Sequence, residues 1–207
     1  MTPYEYLKHE IIIGNMLPGS VIDEKEIASK LKVSRTPVRE AILRLNEEGF
    51  ITIVPRKGTF VSTISFKGIK DVYELRILLE PTILEEACGK YDQAELKAWR
   101  DYYQKVLNDI AATPPQKPDA NHDIDKLFHM FLASPLNNSL LTKGIAKIMD
   151  KTSRIRNLSN IMIDKRKDLA CEEHIEVLNC LMKEDKEGAK SAMIKHLKHT
   201  LEAYTKL

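Results

Sequence analysis

Val33-Ser34-Arg35-Thr36-Pro37-Val38-Arg39-Glu40-Ala41-Ile42-Leu43-Arg44-Leu45 is the stretch that decides how the first third of the chain folds. Val38, Ile42 and Leu45 recur at helical spacing and form one apolar stripe. Thr36 before Pro37 is a favoured helix start, because the N–H that proline lacks would be unpaired there anyway. Gly49 is placed to end the helix, so the spacing predicts one from about Thr36 to Glu48. Arg35 and Arg39, four apart, project from neighbouring turns of one flank. Between Lys30 and Arg44 there are five basic residues and one acid, in a chain whose formal net charge is only +2. That local excess suits a phosphate-contacting surface, although a solvated helix face would carry the same charges.

The flanks fit the same unit. Tyr4, Leu7 and Ile11 give an amphipathic helix over Tyr4–Ile13, broken by Pro18-Gly19. Asp23 can cap a second helix, Glu24 to Leu31. On the other side, Phe50–Val54 and Thr59–Thr63 are short β-prone runs around Pro55-Arg56-Lys57-Gly58, which read as a hairpin. Three helices and a two-stranded wing make a winged helix-turn-helix over residues 1–64. Such a unit places its third helix in the major groove, where Arg holds guanine O6 and N7 in a bidentate grip. Arg35, Thr36 and Arg39 are the candidates for that helix, and Lys57 and Gly58 for the tip of the wing.

Beyond a linker at Ile64–Lys67 the pattern is helical throughout. Helices are expected at Gly68–Lys90, Gln93–Ala111, His122–Ala133, Asn138–Asn160, Lys165–Lys183 and Lys186–Lys206, giving an all-α antiparallel bundle over residues 65–207. Three prolines between Thr113 and Pro118 require a loop. Apolar residues make up 43 % of the chain, enough for a core, while low aromatic and glycine content disfavours a β-sandwich. Three cysteines without a C-x-x-C pair argue against a disulfide framework and for a reducing compartment. Met1–Leu17 has no uninterrupted apolar run, and nothing approaches the roughly 20 apolar residues of a membrane span. The expectation is a cytoplasmic protein with no membrane partner.

The bundle carries its own chemistry. Asp125 and His129 share a helix face, His174 is in phase with Leu178 and Leu181, and His196 is in phase with Met193 and Thr200. His199 falls on the outer face with Lys195 and Glu202. Three inward histidines and an aspartate on three helices suit a borderline divalent cation such as Zn, Ni, Mn or Fe, with positions left open. On the residues alone, core histidines satisfied by Ser, Asp or water stand beside that reading. Arg76, in phase with Val72, Leu79 and Ile83, also points inward. It either pairs with Glu80 or binds a carboxylate-bearing effector.

Leu17-Pro18-Gly19, Glu24-Lys25-Glu26-Ile27-Ala28, the Ser34–Leu45 string and Gly58-Thr59-Phe60-Val61 together resemble the DNA-binding domain of the GntR family of bacterial transcription regulators. The resemblance implies that Lys25, Arg35, Thr36, Arg39 and the wing tip contact DNA. Lys25 stands where the family usually has Arg, and lysine is the weaker bidentate donor. Tyr73–Pro81, Asp125–His129, Glu173–Leu178 and Ala192–Leu197 resemble the FCD effector domain of FadR-type members. That resemblance implies a metal held by Asp125, His129, His174 and His196, an organic-acid effector, and a homodimer on a two-fold symmetric operator. A metalloenzyme built on the same His/Asp set, or a regulator whose metal is purely structural, are the competing readings.

Overall fold

The computed structural model describes residues 1–108, 123–158 and 163–205. The expected Pro-rich loop at 113–118 lies outside them. By internal contacts the chain divides into two units, one of Met1–Ser65 with Ser153–Leu158, the other of Phe66–Thr152 and Ser159–Leu207.

In the first unit, α1 (Pro3–Ile13), α2 (Glu24–Leu31) and α3 (Arg35–Glu47) precede the antiparallel pair β1 (Ile51–Val54) and β2 (Gly58–Val61). Thr2 closes a capping box with Glu5 at the start of α1, and the Asp23 carboxylate accepts from the amides of Lys25 and Glu26 to cap α2. The third helix starts earlier than its sequence suggests. Ser34 is its cap, Arg35 its first residue, and Pro37 sits in the first turn, where its missing N–H still deprives no carbonyl of a donor. Gly49, at φ +80°, follows its end. Leu7, Ile11, Ile27, Val38, Ile42, Leu45, Phe50, Ile51 and Val61 bury together as the core.

The wing pairs Ile51 with Val61 through to Val54 with Gly58, so the turn is Pro55-Arg56-Lys57 with Arg56 at φ 63°. Gly58 takes φ +128°, open only to glycine without strain. Residues Gly19–Ile22 add backbone hydrogen bonds along β2, with Val21 bridged to Phe60.

The second unit is all helix among its described residues: α4 (Phe66–Ala87), α5 (Gln93–Leu107), α6 (Ile124–Ala133), one 3₁₀ turn at Ser134–Leu136, α7 (Ser139–Leu158, of which the last six residues belong to the first unit), α8 (Ile163–Met182) and α9 (Lys186–Thr205). Asp92 and Asp123 cap α5 and α6. Pro81 lies inside α4, where it removes the amide that would bond the Ile77 carbonyl. Helices α4, α5, α6, α8 and α9 enclose an aromatic-rich core of Tyr73, Trp99, Tyr103, Phe128 and Phe131 with Leu178, Met193 and Leu197. Phe128 is wholly buried, so its neighbour His129 is carried into the interior on the same turn. None of the described helices is long and apolar enough to cross a membrane.

Candidate functional site

In the first unit, Arg35 and Thr36 occupy the first turn of α3 and Arg39 the second, all exposed. Lys25 is exposed at the second position of α2, and Lys57 and Gly58 are exposed on the wing. The first-turn position of Arg35 and Thr36 sets them beside the unpaired amides of a helix N-terminus, which favour phosphate. Arg39 Nε donates to Glu24 Oε2 at 2.7 Å, bridging α3 to α2. The Arg39 side chain is 63 % exposed, so the bridge contributes little stability and gives way readily to a stronger acceptor. Arg56, at the centre of the wing turn, is an exposed cation that reading the hairpin by its ends overlooked.

In the second unit, α6 supplies Asp125 and His129, α8 supplies His174, and α9 supplies His196. All three histidines are buried, and one nitrogen from each lies within 4.8 Å of the others. Asp125 Oδ1 stands 3.7 Å from Nε2 of both His129 and His174. The four residues named from the sequence therefore converge. A divalent cation with bonds of about 2.1 Å sets neighbouring donors roughly 3.0–3.4 Å apart, so this donor set closes on one by drawing inward. Phe128 and Tyr103 pack on the His174 ring at centroid distances of 4.5 and 4.8 Å, an apolar wall that limits how that ring turns.

Two carboxylates stand behind the rings. Glu80 Oε2 lies 2.6 Å from His129 Nδ1, and Glu173 Oε2 lies 2.8 Å from His196 Nδ1. The other oxygen of Glu173 meets His199 Nδ1 at 2.7 Å, so His199 faces outward yet is tied to the centre. Burial lowers the pKa of His196, and repulsion from His129 and Arg76 adds to this against the pull of Glu173, favouring the neutral ring that a metal needs.

Arg76 is buried and paired. Its Nε donates to Glu80 Oε1 at 2.5 Å and its Nη2 to Glu80 Oε2 at 3.3 Å, while Nη2 also lies 3.0 Å from His129 Nε2. Burial works against both charges of this pair. Glu80 nonetheless holds the guanidinium above its usual pKa, and Arg76 with His129 holds the Glu80 carboxyl well below the ordinary carboxylate range. The intrahelical pair expected as one reading of Arg76 is present, and it sits against His129.

A winged helix-turn-helix joined to an all-helical unit with an inward His/Asp cluster defines a DNA-binding regulator with a candidate sensor domain. Residues 3–61 match the family described as bacterial regulatory proteins, gntR family, and residues 71–199 match the FCD domain. The chain belongs to the GntR family of transcription regulators, in its FadR-type subgroup with an FCD domain. It is 32 % identical over 182 residues to the Nta operon transcriptional regulator of Aminobacter aminovorans, covering 87 % of this chain and 82 % of that one. It is 25 % identical over 200 residues to the HTH-type transcriptional repressor RspR of Escherichia coli K12, covering 97 % and 86 %. The fold is shared with E. coli McbR/YncC at a TM-score of 0.77 and 21 % identity, over 99 % of this chain and 95 % of that one.

Proposed function

We propose that this regulator binds DNA as a cytoplasmic homodimer and that a small carboxylate metabolite, coordinated to a divalent cation in the helical unit, sets its affinity for the operator. The observation that carries the reading is the convergence of Asp125, His129, His174 and His196 from three helices, with the paired Arg76 at its edge. Three imidazoles and one carboxylate leave coordination positions open on Zn, Ni, Mn or Fe, and carboxylate oxygens fill such positions. Net charge supplies little of the attraction. A divalent cation and Arg76 bring three positive charges, and Asp125, Glu80 and Glu173 can bring three negative ones. The pull on an anion is therefore local, from the open positions and from a guanidinium that Glu80 already holds in place.

Lys25, Arg35, Thr36, Arg39, Lys57 and Gly58 form the DNA surface in this reading. On α4, Leu75 and Leu78 are exposed three residues apart, an apolar strip that a second copy of the chain would cover. Arg39→Ala should weaken binding to DNA selected by the protein from a random pool by about 10–100-fold, the worth of a bidentate base contact, with the fold unchanged. Gel-shift titration at fixed salt measures this, with random DNA as the reference. Equal discrimination by the variant would remove Arg39 from the recognition surface.

The effector class is tested separately. Calorimetry with a panel of sugar acids, hydroxy acids and dicarboxylates should show binding to metal-loaded protein and at least tenfold weaker binding after chelation. A ligand that binds stripped protein equally well, or a neutral one that shifts operator affinity, would overturn the metal-centred mechanism.

A further inference from the structure

We propose that Glu80 and Glu173 are positioning residues of the metal centre, each accepting the Nδ1–H hydrogen bond of one imidazole and so leaving the Nε2 lone pair of that ring for the cation. The inference rests on the metal reading above and deepens it.

Glu80 lies on α4 and reaches His129 on α6 at 2.6 Å, and Glu173 on α8 reaches His196 on α9 at 2.8 Å. Both contacts are made to Nδ1, although the helices and directions differ. An ionised carboxylate can only accept, so each Nδ1 carries a hydrogen, and a neutral ring protonated there has its lone pair on Nε2. For His129 that nitrogen faces Asp125 Oδ1 at 3.7 Å, and Arg76 Nη2, 3.0 Å away, draws back as a cation reaches it.

The carboxylates are themselves fixed. Both are buried, at 5 % and 3 % exposure, where an unsatisfied oxygen is costly. Arg76 holds Glu80 through both its oxygens. His199 holds the second oxygen of Glu173 at 2.7 Å, and the His199 side chain is 40 % exposed, so this second chain of contacts ends at the surface. Each ring is thus locked by a partner that is locked in turn, an arrangement that raises ligand basicity and fixes ring orientation before the metal arrives. A purely structural ion pair would give the same packing without dictating the tautomer.

The test uses the full chain with zinc alone as the probe. Long-range ¹H–¹⁵N spectra of metal-stripped wild type should show His129 and His196 protonated on Nδ1. Glu173→Ala should shift His196 towards the Nε2–H form and weaken zinc binding by about 10–100-fold in competition with a chelator. Glu173→Gln, whose amide oxygen still accepts from Nδ1, should keep the tautomer and lose less affinity. Should the alanine variant fail to fold, the wild-type tautomers and the glutamine variant carry the decision. An Nε2–H form of His196 in the stripped wild type, or unchanged zinc affinity in a folded Glu173→Ala protein, overturns the proposal while zinc uptake by wild type keeps the metal reading. A wild type that takes up no zinc overturns both.

Discussion

Arg76→Ala should destabilise the helical unit by about 3–5 kcal/mol, the range found when one member of a buried ion pair is removed. Arg76 and Glu80 are both almost fully buried one turn apart on α4, and the guanidinium is the largest influence holding the Glu80 carboxyl ionised against its burial. Truncation leaves that carboxylate, among the described residues, facing His129 across 2.6 Å, and opens space beside Tyr73, whose ring lies 5.3 Å from the guanidinium carbon. The measurement is urea unfolding of metal-stripped protein, so that loss of metal does not enter. A combined Arg76→Met and Glu80→Met protein should recover much of the loss, because removing both charges leaves neither unpaired. A loss below about 1 kcal/mol for Arg76→Ala would mean the pair is solvated and exchanges freely, as surface pairs do.

His174→Ala should remove most of the divalent metal, about one ion per chain in the wild type. His174 stands 4.5 Å centroid to centroid from His196 and 3.7 Å from the Asp125 oxygen, so its loss takes one donor out of the set. Losing a direct ligand should exceed the ~10–100-fold cost of losing an outer partner. Elemental analysis of tag-free protein checks this, with circular dichroism to confirm the fold, since the variant also leaves a gap beside Phe128 and Tyr103. Equal metal content in variant and wild type would make His174 a core histidine and nothing more.

The third helix and the convergence of Asp125, His129, His174 and His196 were legible because each position depends on spacing within one helix. Val38, Ile42 and Leu45 set the phase of α3, and that phase fixes where Arg35 and Arg39 emerge. Asp125 and His129 share one turn-to-turn face for the same reason. The cap of α3 was misplaced by two residues, because Thr-Pro is a strong local signal while the chain turns into the helix already at Ser34. The bridge from Val21 to Phe60 left no pattern at all, since one bridged residue after Pro18-Gly19 has no periodicity to read. Glu80 was visible only as an intrahelical partner of Arg76. Its contact to His129 crosses 49 positions and exists only once α4 and α6 pack. Glu173 carried a usable signal: it is four residues before Val177, which is wholly buried, and a carboxylate on such a stripe calls for a buried donor.

Fluorescence anisotropy of a DNA duplex selected by the protein, titrated with metal-loaded and metal-stripped protein in the presence and absence of the carboxylate panel, tests the central claim most directly. The account predicts that at least one carboxylate shifts the DNA affinity of metal-loaded protein by about 5–150-fold, the usual span of coupling between two sites, and leaves stripped protein unmoved. An equal shift with stripped protein, or no shift with any acid while a neutral compound produces one, would contradict it.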